Sequence, residues 1–234
     1  MKRFIVDKAV FEKLPDYCVG VVAAQGLNNR EHNRNLEKML DEAAAAFAAA
    51  NKDTNIRELP GVKACRDAFL ALGMNPNKFM CSIEALMKRV QKNGVLPHIN
   101  TVVDLGNAFS LNYQLPMGAH DVDKMEGDME IRFSTAADHF QPMGEPETET
   151  MPEGELVYVS ANTVKTRRWI WRQSEDGKIG PETCNVFFPI DGFKGVNLDA
   201  VLAAREELAR LLREDFGCQV FTGLVDKDNN SFEF

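Results

Sequence analysis

The amino-acid sequence predicts an α+β fold in which mixed sheets form a β-sandwich-like core flanked by helices. Two observations lead to this prediction. Apolar residues recur at helical spacing between residues 31 and 113, and strand-like segments separated by glycine and proline follow from residue 129 onwards. Helices grouped before strands are typical of α+β domains, whereas a regular alternation would indicate a parallel α/β fold.

The first half of the chain, about residues 1–115, is predicted to be rich in helices. A short apolar run at residues 19–24 predicts a buried strand before them. Asn77 follows an Asn-Pro turn and is predicted to cap the third helix, which ends at Gly94. Helices are predicted in four places, at residues 31–50, 64–72, 78–93 and 100–113.

The second half, about residues 116–234, is predicted to be rich in strands. An amphipathic helix capped by Asn197 and ended by Gly217 interrupts them. No internal repeat divides the sequence, so we expect one domain over residues 1–234 whose halves do not fold independently. Strands are predicted at residues 129–133, 155–159, 164–173, 184–190 and 218–224.

Composition limits the class of protein. The chain has 234 residues, of which 44% are hydrophobic, enough for a sizeable core. No apolar stretch is long enough for a signal peptide or a membrane span, so we expect a cytoplasmic protein. A net charge of −8 argues against a protein that binds a nucleic-acid backbone without a further chain, and no DNA partner is expected. The five cysteines lack Cys-x-x-Cys spacing and indicate reduced thiols.

Five short motifs in a fixed order resemble the B3/B4 family, the editing domain of the bacterial phenylalanyl-tRNA synthetase beta chain. Each motif alone is short, but their order and spacing are specific, and the resemblance covers roughly residues 4–192. The motifs are LGMNP at residues 72–76, SIEAL at 82–86, LPHIN at 96–100, VD at 103–104 with Asn107, and RRWIWRQ at 167–173.

The resemblance implies a single compact unit and a tRNA-related function. In the synthetase, the corresponding unit removes wrongly attached tyrosine from its tRNA by hydrolysing the aminoacyl ester. A free-standing chain of this kind is expected to bind tRNA or aminoacyl-tRNA weakly and is not a complete tRNA ligase. The same resemblance implies a pocket for an amino acid.

The chain departs from the synthetase pattern at two positions. The editing histidine of the synthetase falls at Gly118 in this sequence, and a synthetase glutamate falls at Pro189. His120 lies two residues beyond Gly118, among carboxylates in the sequence, and is the candidate catalytic base because imidazole titrates near neutral pH. These departures weaken the inference of deacylase activity but not that of the fold.

Four further polar residues are candidate ligand-binding residues. Glu84 lies in a family motif, and its alternative is an exposed pair with Lys88. Asp104 and Asn107 share a helical face, where they either position a substrate or form hydrogen bonds with a neighbouring segment of the same chain. Asp121 is a ligand candidate whose alternative is a turn, and no metal site is predicted because oxygen donors are sparse around it.

The segment at residues 164–173 contains the densest cluster of large and charged side chains. If it is one strand, alternation puts Trp169 and Trp171 on one face and Arg168 and Arg172 on the other, roughly 13 Å apart. This arrangement predicts an arginine row that binds an anion. Buried ion pairs with carboxylates are the alternative, with equal weight.

Two functions therefore stay open. One is an editing-like domain that binds the aminoacyl end of a tRNA and hydrolyses a mischarged ester, and the other is a non-catalytic module that binds an amino acid or a small anion. The sequence has no Gly-x-Ser-x-Gly elbow and no phosphate-binding loop of the Gly-x-x-x-x-Gly-Lys type. No cofactor is predicted.

Overall fold

A computed structural model describes residues 1–30 and 33–234 of the chain, and the predicted α+β class is confirmed. Residues 31 and 32, the predicted start of the first long helix, lie outside the described residues. A short 3₁₀ turn covers Ile56–Glu58. The helices in the described residues are α1 (Lys8–Lys13), α2 (Arg34–Ala50), α3 (Pro60–Ala71), α4 (Ser82–Asn93), α5 (Thr101–Tyr113) and α6 (Leu198–Glu214).

The strands of the described residues form two sheets, both of which draw strands from the beginning and the end of the chain. The strands are β1 (Arg3–Val6), β2 (Tyr17–Gln25), β3 (His120–Asp121), β4 (Met129–Phe133), β5 (His139–Phe140), β6 (Glu149–Thr150), β7 (Leu156–Ser160), β8 (Thr163–Arg167), β9 (Arg172–Gln173), β10 (Val186–Phe193), β11 (Gln219–Val225) and β12 (Ser231–Glu233).

The larger sheet is mixed and the smaller one is antiparallel. The larger sheet has the order β12-β1-β4-β7-β8-β5-β6, with β9 paired to β8, and β1 runs parallel to β4. The smaller sheet has the order β11-β2-β10-β3. In the smaller sheet β10 pairs with β2 along eight residues, from Val186 opposite Ala24 to Phe193 opposite Tyr17. This long pairing makes β10 and β2 the central pair of the smaller sheet.

The two sheets face each other and enclose a shared apolar core. The rings of Phe4 on β1 and Phe187 on β10 have centroids 4.9 Å apart, so one ring from each sheet meets in the middle. Side chains of β10 alternate between two faces. Phe188 and Ile190 point the other way and pack against α5 and α6. The predicted β-sandwich-like core with flanking helices is confirmed.

The start of α4 differs from the prediction. The predicted helix begins at residue 78 with Asn77 as its cap, but α4 begins at Ser82 and its N-cap is Cys81. The side-chain oxygen of Asn77 accepts a hydrogen bond of 2.7 Å from Arg66 instead. Residues 76–79 form a turn and a bend rather than a helix, so the helix lacks its first predicted turn. Its predicted end at Gly94, which has a φ of 75°, is confirmed.

The predicted single strand at residues 164–173 is wrong. The segment folds back on itself, so β8 and β9 form a hairpin in which Arg167 pairs with Arg172. The reversal occurs at Arg168 and Trp169, whose φ angles are 49° and 59°. Positive φ is uncommon outside glycine, and neither residue type signals it. The predicted arrangement of two tryptophans on one face and an arginine row on the other therefore does not exist.

Strand pairings connect the two halves of the chain. β1 and β2 come from the helix-rich half, and their partners β4, β10, β11 and β12 all come from the strand-rich half. These pairings support the prediction of one cooperative domain, which stays a prediction. No helix in the described ranges is long and apolar enough to cross a bilayer. All five cysteines are free, and Cys184 is the exposed one among them.

Candidate functional site

A cavity of about 160 Å³ lies where β10, the segment before β3 and the β8–β9 turn meet. An engineered cavity of about 150 Å³ admits a benzene-sized molecule, so the space suits a small side chain. Its apolar wall includes Pro116, Met117, Ile170, Trp169, Trp171 and Pro189. Its polar lining residues are Ser82, His120, Tyr158, Thr166, Gln173 and Asp191.

The carboxylate of Asp191 is held at one end of this cavity by three donors. The hydroxyl of Tyr158 donates to Oδ1 at 2.8 Å, and the hydroxyl of Tyr17 donates to the same oxygen. The indole Nε1–H of Trp169 lies 3.1 Å from Oδ1 and 3.0 Å from the Tyr17 oxygen. Burial and the nearby Asp191 raise the pKa of both tyrosines, so both hydroxyls stay protonated donors. These three donors, Tyr17, Tyr158 and Trp169, form a cage that fixes the orientation of the carboxylate.

The second oxygen of Asp191, Oδ2, receives no hydrogen bond from the described residues. Asp191 is 2% exposed, and burial raises the pKa of its carboxyl to about 6, against the three hydrogen bonds that lower it. The group is therefore ionised at pH 7 to 8 and carries a buried charge that no Lys or Arg in the described residues neutralises. A buried carboxylate without a cationic partner is costly, which makes it a candidate functional group.

His120 lies at the other end of the cavity and is a weak base. Its ring is 3% exposed and stacks on Tyr158 with centroids 5.5 Å apart. Burial and the nearby Lys165 lower the pKa of His120 to about 3, so the imidazole is neutral at pH 7. Its Nδ1 is buried without a hydrogen-bond partner among the described residues. The catalytic role of His120 stays a prediction, and this low pKa argues against a general base.

His120 and Asp191 are too far apart to form an acid–base dyad. In the smaller sheet His120 stands opposite Phe187, whereas the N–H of Asp191 bonds the carbonyl of Pro116. Positions 187 and 191 are four residues apart, which corresponds to roughly 13 Å along the strand. Tyr158 lies between the two groups, because its ring stacks on His120 and its hydroxyl reaches Asp191.

Residues 64–217, about two thirds of the chain, match the B3/4 domain family. The chain belongs to the B3/4 domain family. It is also similar to a solved N-terminal fragment of the phenylalanyl-tRNA synthetase beta subunit from Pyrococcus horikoshii, with 14% sequence identity and a TM-score of 0.43. That similarity covers 94% of this chain and 53% of the fragment, so this chain spans about half of the fragment's length. No curated protein sequence matches the chain.

In this B3/4 domain the two departures from the synthetase pattern face each other in the cavity wall. The N–H of Gly118 donates to the carbonyl of Pro189 at 3.1 Å. A Cβ added at Gly118 would lie 3.3 Å from Pro189 Cγ and 3.5 Å from His120 Nε2. His120 follows Gly118 by two residues, and Asp191 follows Pro189 by two residues. Each therefore lies on the same strand face as the residue it follows. Because β3 and β10 are antiparallel, the step from Gly118 to His120 and the step from Pro189 to Asp191 run in opposite directions along the sheet.

Glu84 is fully buried, and its carboxylate is occupied by cations of the protein itself. Lys88 Nζ lies 2.6 Å from Oε1, which confirms the predicted pair, and Arg66 Nη1 lies 3.0 Å from Oε2. Arg57 Nε adds a third contact at 3.5 Å. The alternative prediction, that Glu84 is exposed to solvent, is wrong because Glu84 is buried. Glu84 does not line the cavity, and its ligand-binding role stays a prediction.

Asp104 and Asn107 are separated by the structure despite their shared helical face. Asp104 is buried and holds the segment before α5, because its oxygens contact Ile99 N at 2.9 Å and His98 Nδ1 at 3.2 Å. Asn107 instead lines a second opening between α4 and α5. Within the described part of the chain the Asn107 side chain makes no hydrogen bond. Asn107 is therefore free to meet a ligand, whereas Asp104 is engaged.

Asp121 stabilises a turn. Its Oδ1 accepts a hydrogen bond of 3.0 Å from Asp123 N, and its Oδ2 accepts one of 2.7 Å from the hydroxyl of Thr183. It does not line the cavity, so nothing in the geometry supports its predicted ligand-binding role. No group of three His, Cys, Asp or Glu side chains within the described residues is arranged to hold a metal ion.

The two predicted ligand-binding arginines do not line the cavity. Arg168 lies 4.0 Å above the ring of Phe79 and 4.7 Å above that of Trp171, and its Nη2 is 3.4 Å from Glu155 Oε2. Arg172 is exposed on β9. The geometry favours the ion-pair alternative for Arg168, and a ligand-binding role for either arginine stays a prediction.

Sequence reasoning missed Asp191 and its three donors. The predicted strand ended at residue 190, one position before Asp191, whereas β10 continues to Phe193. The available signal was a single acidic residue inside a run that is otherwise apolar, because Asp is rarely buried without a partner. Tyr17 and Tyr158 carried no such signal, since their roles depend on two sheets meeting.

Proposed function

We propose that this cavity binds the amino-acid part of a ligand, either a free amino acid or the aminoacyl end of a tRNA, with the ammonium group at Asp191. The observation that carries the proposal is the carboxylate itself. Three protein donors occupy its Oδ1, while its Oδ2 has no partner among the described residues. A ligand cation at Oδ2 would neutralise the buried charge through a charge-assisted hydrogen bond.

The surroundings of Asp191 favour an ammonium group over other cations. Tyr158, Trp169 and Trp171 line the cavity, and aromatic faces attract a desolvated cation. The remaining apolar wall, including Met117 and Ile170, suits the side chain of an amino acid. Cavity size limits that side chain to about the volume of a small ring.

Membership in the B3/4 domain family supports an aminoacyl ligand, because the resemblance found in the sequence is to an editing domain. The net charge of −8 argues that any tRNA contact is weak without a further chain. The aminoacyl group itself would then supply much of the specificity. A cytoplasmic location is part of this proposal.

Ester hydrolysis is a second candidate function, supported by the pKa of Asp191. A carboxyl with a pKa of about 6 is ionised at neutral pH and still basic enough to take a proton from water. In this mechanism Oδ2 of Asp191 orients the attacking water, and no covalent intermediate is formed with the protein. His120 has no part in it, because its imidazole is too weakly basic.

Binding is tested first with amino acid amides, which carry an ammonium group and no carboxylate. We expect the amides to bind and their N-acetyl derivatives not to bind, because acetylation removes the positive charge. Gly118→Val should weaken binding at least about tenfold, since its Cβ would lie 3.3 Å from Pro189 Cγ and its methyl groups would fill the cavity. Calorimetric titration measures both effects.

Gly195→Val is the matched control, because a Cβ at Gly195 meets no atom within 4 Å and Gly195 does not line this cavity. It should bind the amides as the unmodified protein does. Equal binding of amides and N-acetyl amides would contradict the proposal. A panel of mischarged tRNAs, assayed with Asp191→Asn as the inactive control, separates hydrolysis from binding alone.

A further inference from the structure

A second opening adjoins the cavity. It is a groove of about 190 Å³ between α4 and α5. Ser82 and Met117 line both the groove and the cavity, so the two spaces are neighbours across these residues. A ligand that fills the cavity can therefore extend into the groove. The cavity contains the acidic Asp191, whereas the groove contains a basic residue.

The groove has one positively charged side chain, Arg89, and no acidic one in its lining. Among the described residues Arg89 has no ion pair and no hydrogen bond, although the protein carries a net charge of −8. Its neighbour on α4, Lys88, is by contrast held by Glu84 at 2.6 Å. An uncommitted arginine in an acidic protein makes the groove locally attractive to anions.

Two polar side chains of α5 face the same groove without partners. Asn107 and Ser110 are three residues apart and thus share one side of the helix. Ser110 is 4% exposed, and its hydroxyl forms no hydrogen bond with the described residues. The hydroxyl oxygen is not enclosed by protein atoms, so it is open to a ligand in the groove. Together the groove offers a guanidinium, an amide and a hydroxyl.

We propose that the α4–α5 groove is an anion subsite that holds a phosphate group of the same ligand. The inference rests on the proposed function, in which the amino end of the ligand lies at Asp191. The carboxylate of an amino acid is bonded to the carbon that bears the ammonium group and would stay with it in the cavity. An anion beyond Ser82 and Met117 must belong to a more distant part of the ligand. The planar fork of Arg89 suits phosphate oxygens.

Two pairs of probes test this subsite and distinguish the source of the phosphate. The first pair is 3′-aminoacylamino-3′-deoxyadenosine with and without a 5′-phosphate, which represents the end of a tRNA. The second pair is O-phosphoserine amide and serine amide, which represents a small phosphorylated amine. We expect the phosphate of at least one pair to raise affinity about tenfold, and the pair that responds identifies the source.

In Arg89→Gln the gain from the phosphate should disappear, while the affinity for the unphosphorylated probe stays unchanged. Arg213→Gln is the matched control, because it removes the same charge from α6 and lines neither space. Full retention of the gain in Arg89→Gln, or equal binding of both members of each pair by the unmodified protein, would overturn the subsite and leave the proposed function standing. Failure of every probe to bind would overturn both.

Discussion

Asp191→Asn should make the protein more stable at pH 8 and lower its affinity for amines. The carboxyl has a pKa of about 6 in the folded protein against 3.8 ordinarily, a difference of about two units. At 1.36 kcal/mol per unit, the buried charge costs about 3 kcal/mol of stability at pH 8. Asn removes the charge and keeps an oxygen for the three donors. For a chain of this size, the gain corresponds to a rise in Tm of roughly 6–12 °C.

The same substitution removes the charge that would bind an ammonium group. A charge-assisted hydrogen bond contributes about 2 kcal/mol, so affinity for amino acid amides should fall at least about 30-fold. Stability and binding then change in opposite directions, as is typical of a residue retained for function. Thermal melts and calorimetric titrations measure the two effects.

Asp191→Ala is the matched control for the cage. It removes the charge as well, but it leaves Tyr17, Tyr158 and Trp169 without their shared acceptor. Each buried donor left unpaired costs about 1–3 kcal/mol, so this variant should be less stable than Asp191→Asn by several kcal/mol. If Asp191→Asn loses stability and still binds amines, the carboxylate is a structural group and the proposed function fails.

Much of the fold follows from local patterns in the sequence. The helices α2, α3, α5 and α6 and the strand β4 are predicted because apolar periodicity and, for α2 and α5, a side-chain cap act within one element. Asn100, for example, caps α5 by accepting a hydrogen bond from Val103 N at 3.0 Å. The start of α4 was missed because Asn77 is taken by Arg66, which is eleven residues away. A competing tertiary partner leaves no trace in a local pattern.

The candidate site was less predictable because it depends on contacts between distant elements. Asp191 receives bonds from residues up to 174 positions away in the chain. Trp169 reaches Asp191 only because the chain reverses at two positive φ angles, which neither arginine nor tryptophan signals. By contrast, Gly118 and Pro189 were identified by the family resemblance, and the structure brings both into the cavity wall. The resemblance identified two residues of the candidate site, but not Asp191, which lines the same cavity.

His120 and Asp191 should contribute opposite pH dependences to stability. The folded-state pKa of Asp191 is raised to about 6, so its contribution is favourable below 3.8 and is lost as the pH rises through 6. The folded-state pKa of His120 is lowered to about 3 from 6.5, so its contribution is present above 6.5 and is lost as the pH falls. Between pH 4.5 and 6 the two slopes nearly cancel in the unmodified protein.

Single variants should reveal each slope. From pH 8 to pH 4.5, the stability advantage of Asp191→Asn over the unmodified protein should shrink by about 2 kcal/mol, because Asp191 takes up its proton over this range. The stability of His120→Leu relative to the unmodified protein should rise by about 3 kcal/mol over the same range. Urea unfolding at several pH values gives both differences, and all other titrating groups cancel in them.

The double variant is the control for independence. Neither His120 nor Asp191 is a cause of the other's pKa shift, so the two pH-dependent differences should add in Asp191→Asn/His120→Leu. The packing change at His120 shifts the stability of its variant equally at every pH and leaves the slope intact. If the difference in stability between His120→Leu and the unmodified protein does not change with pH, the imidazole is protonated in the folded protein at pH 4.5. His120 would then titrate near neutral pH, and the hydrolytic role that its low pKa argues against would regain support.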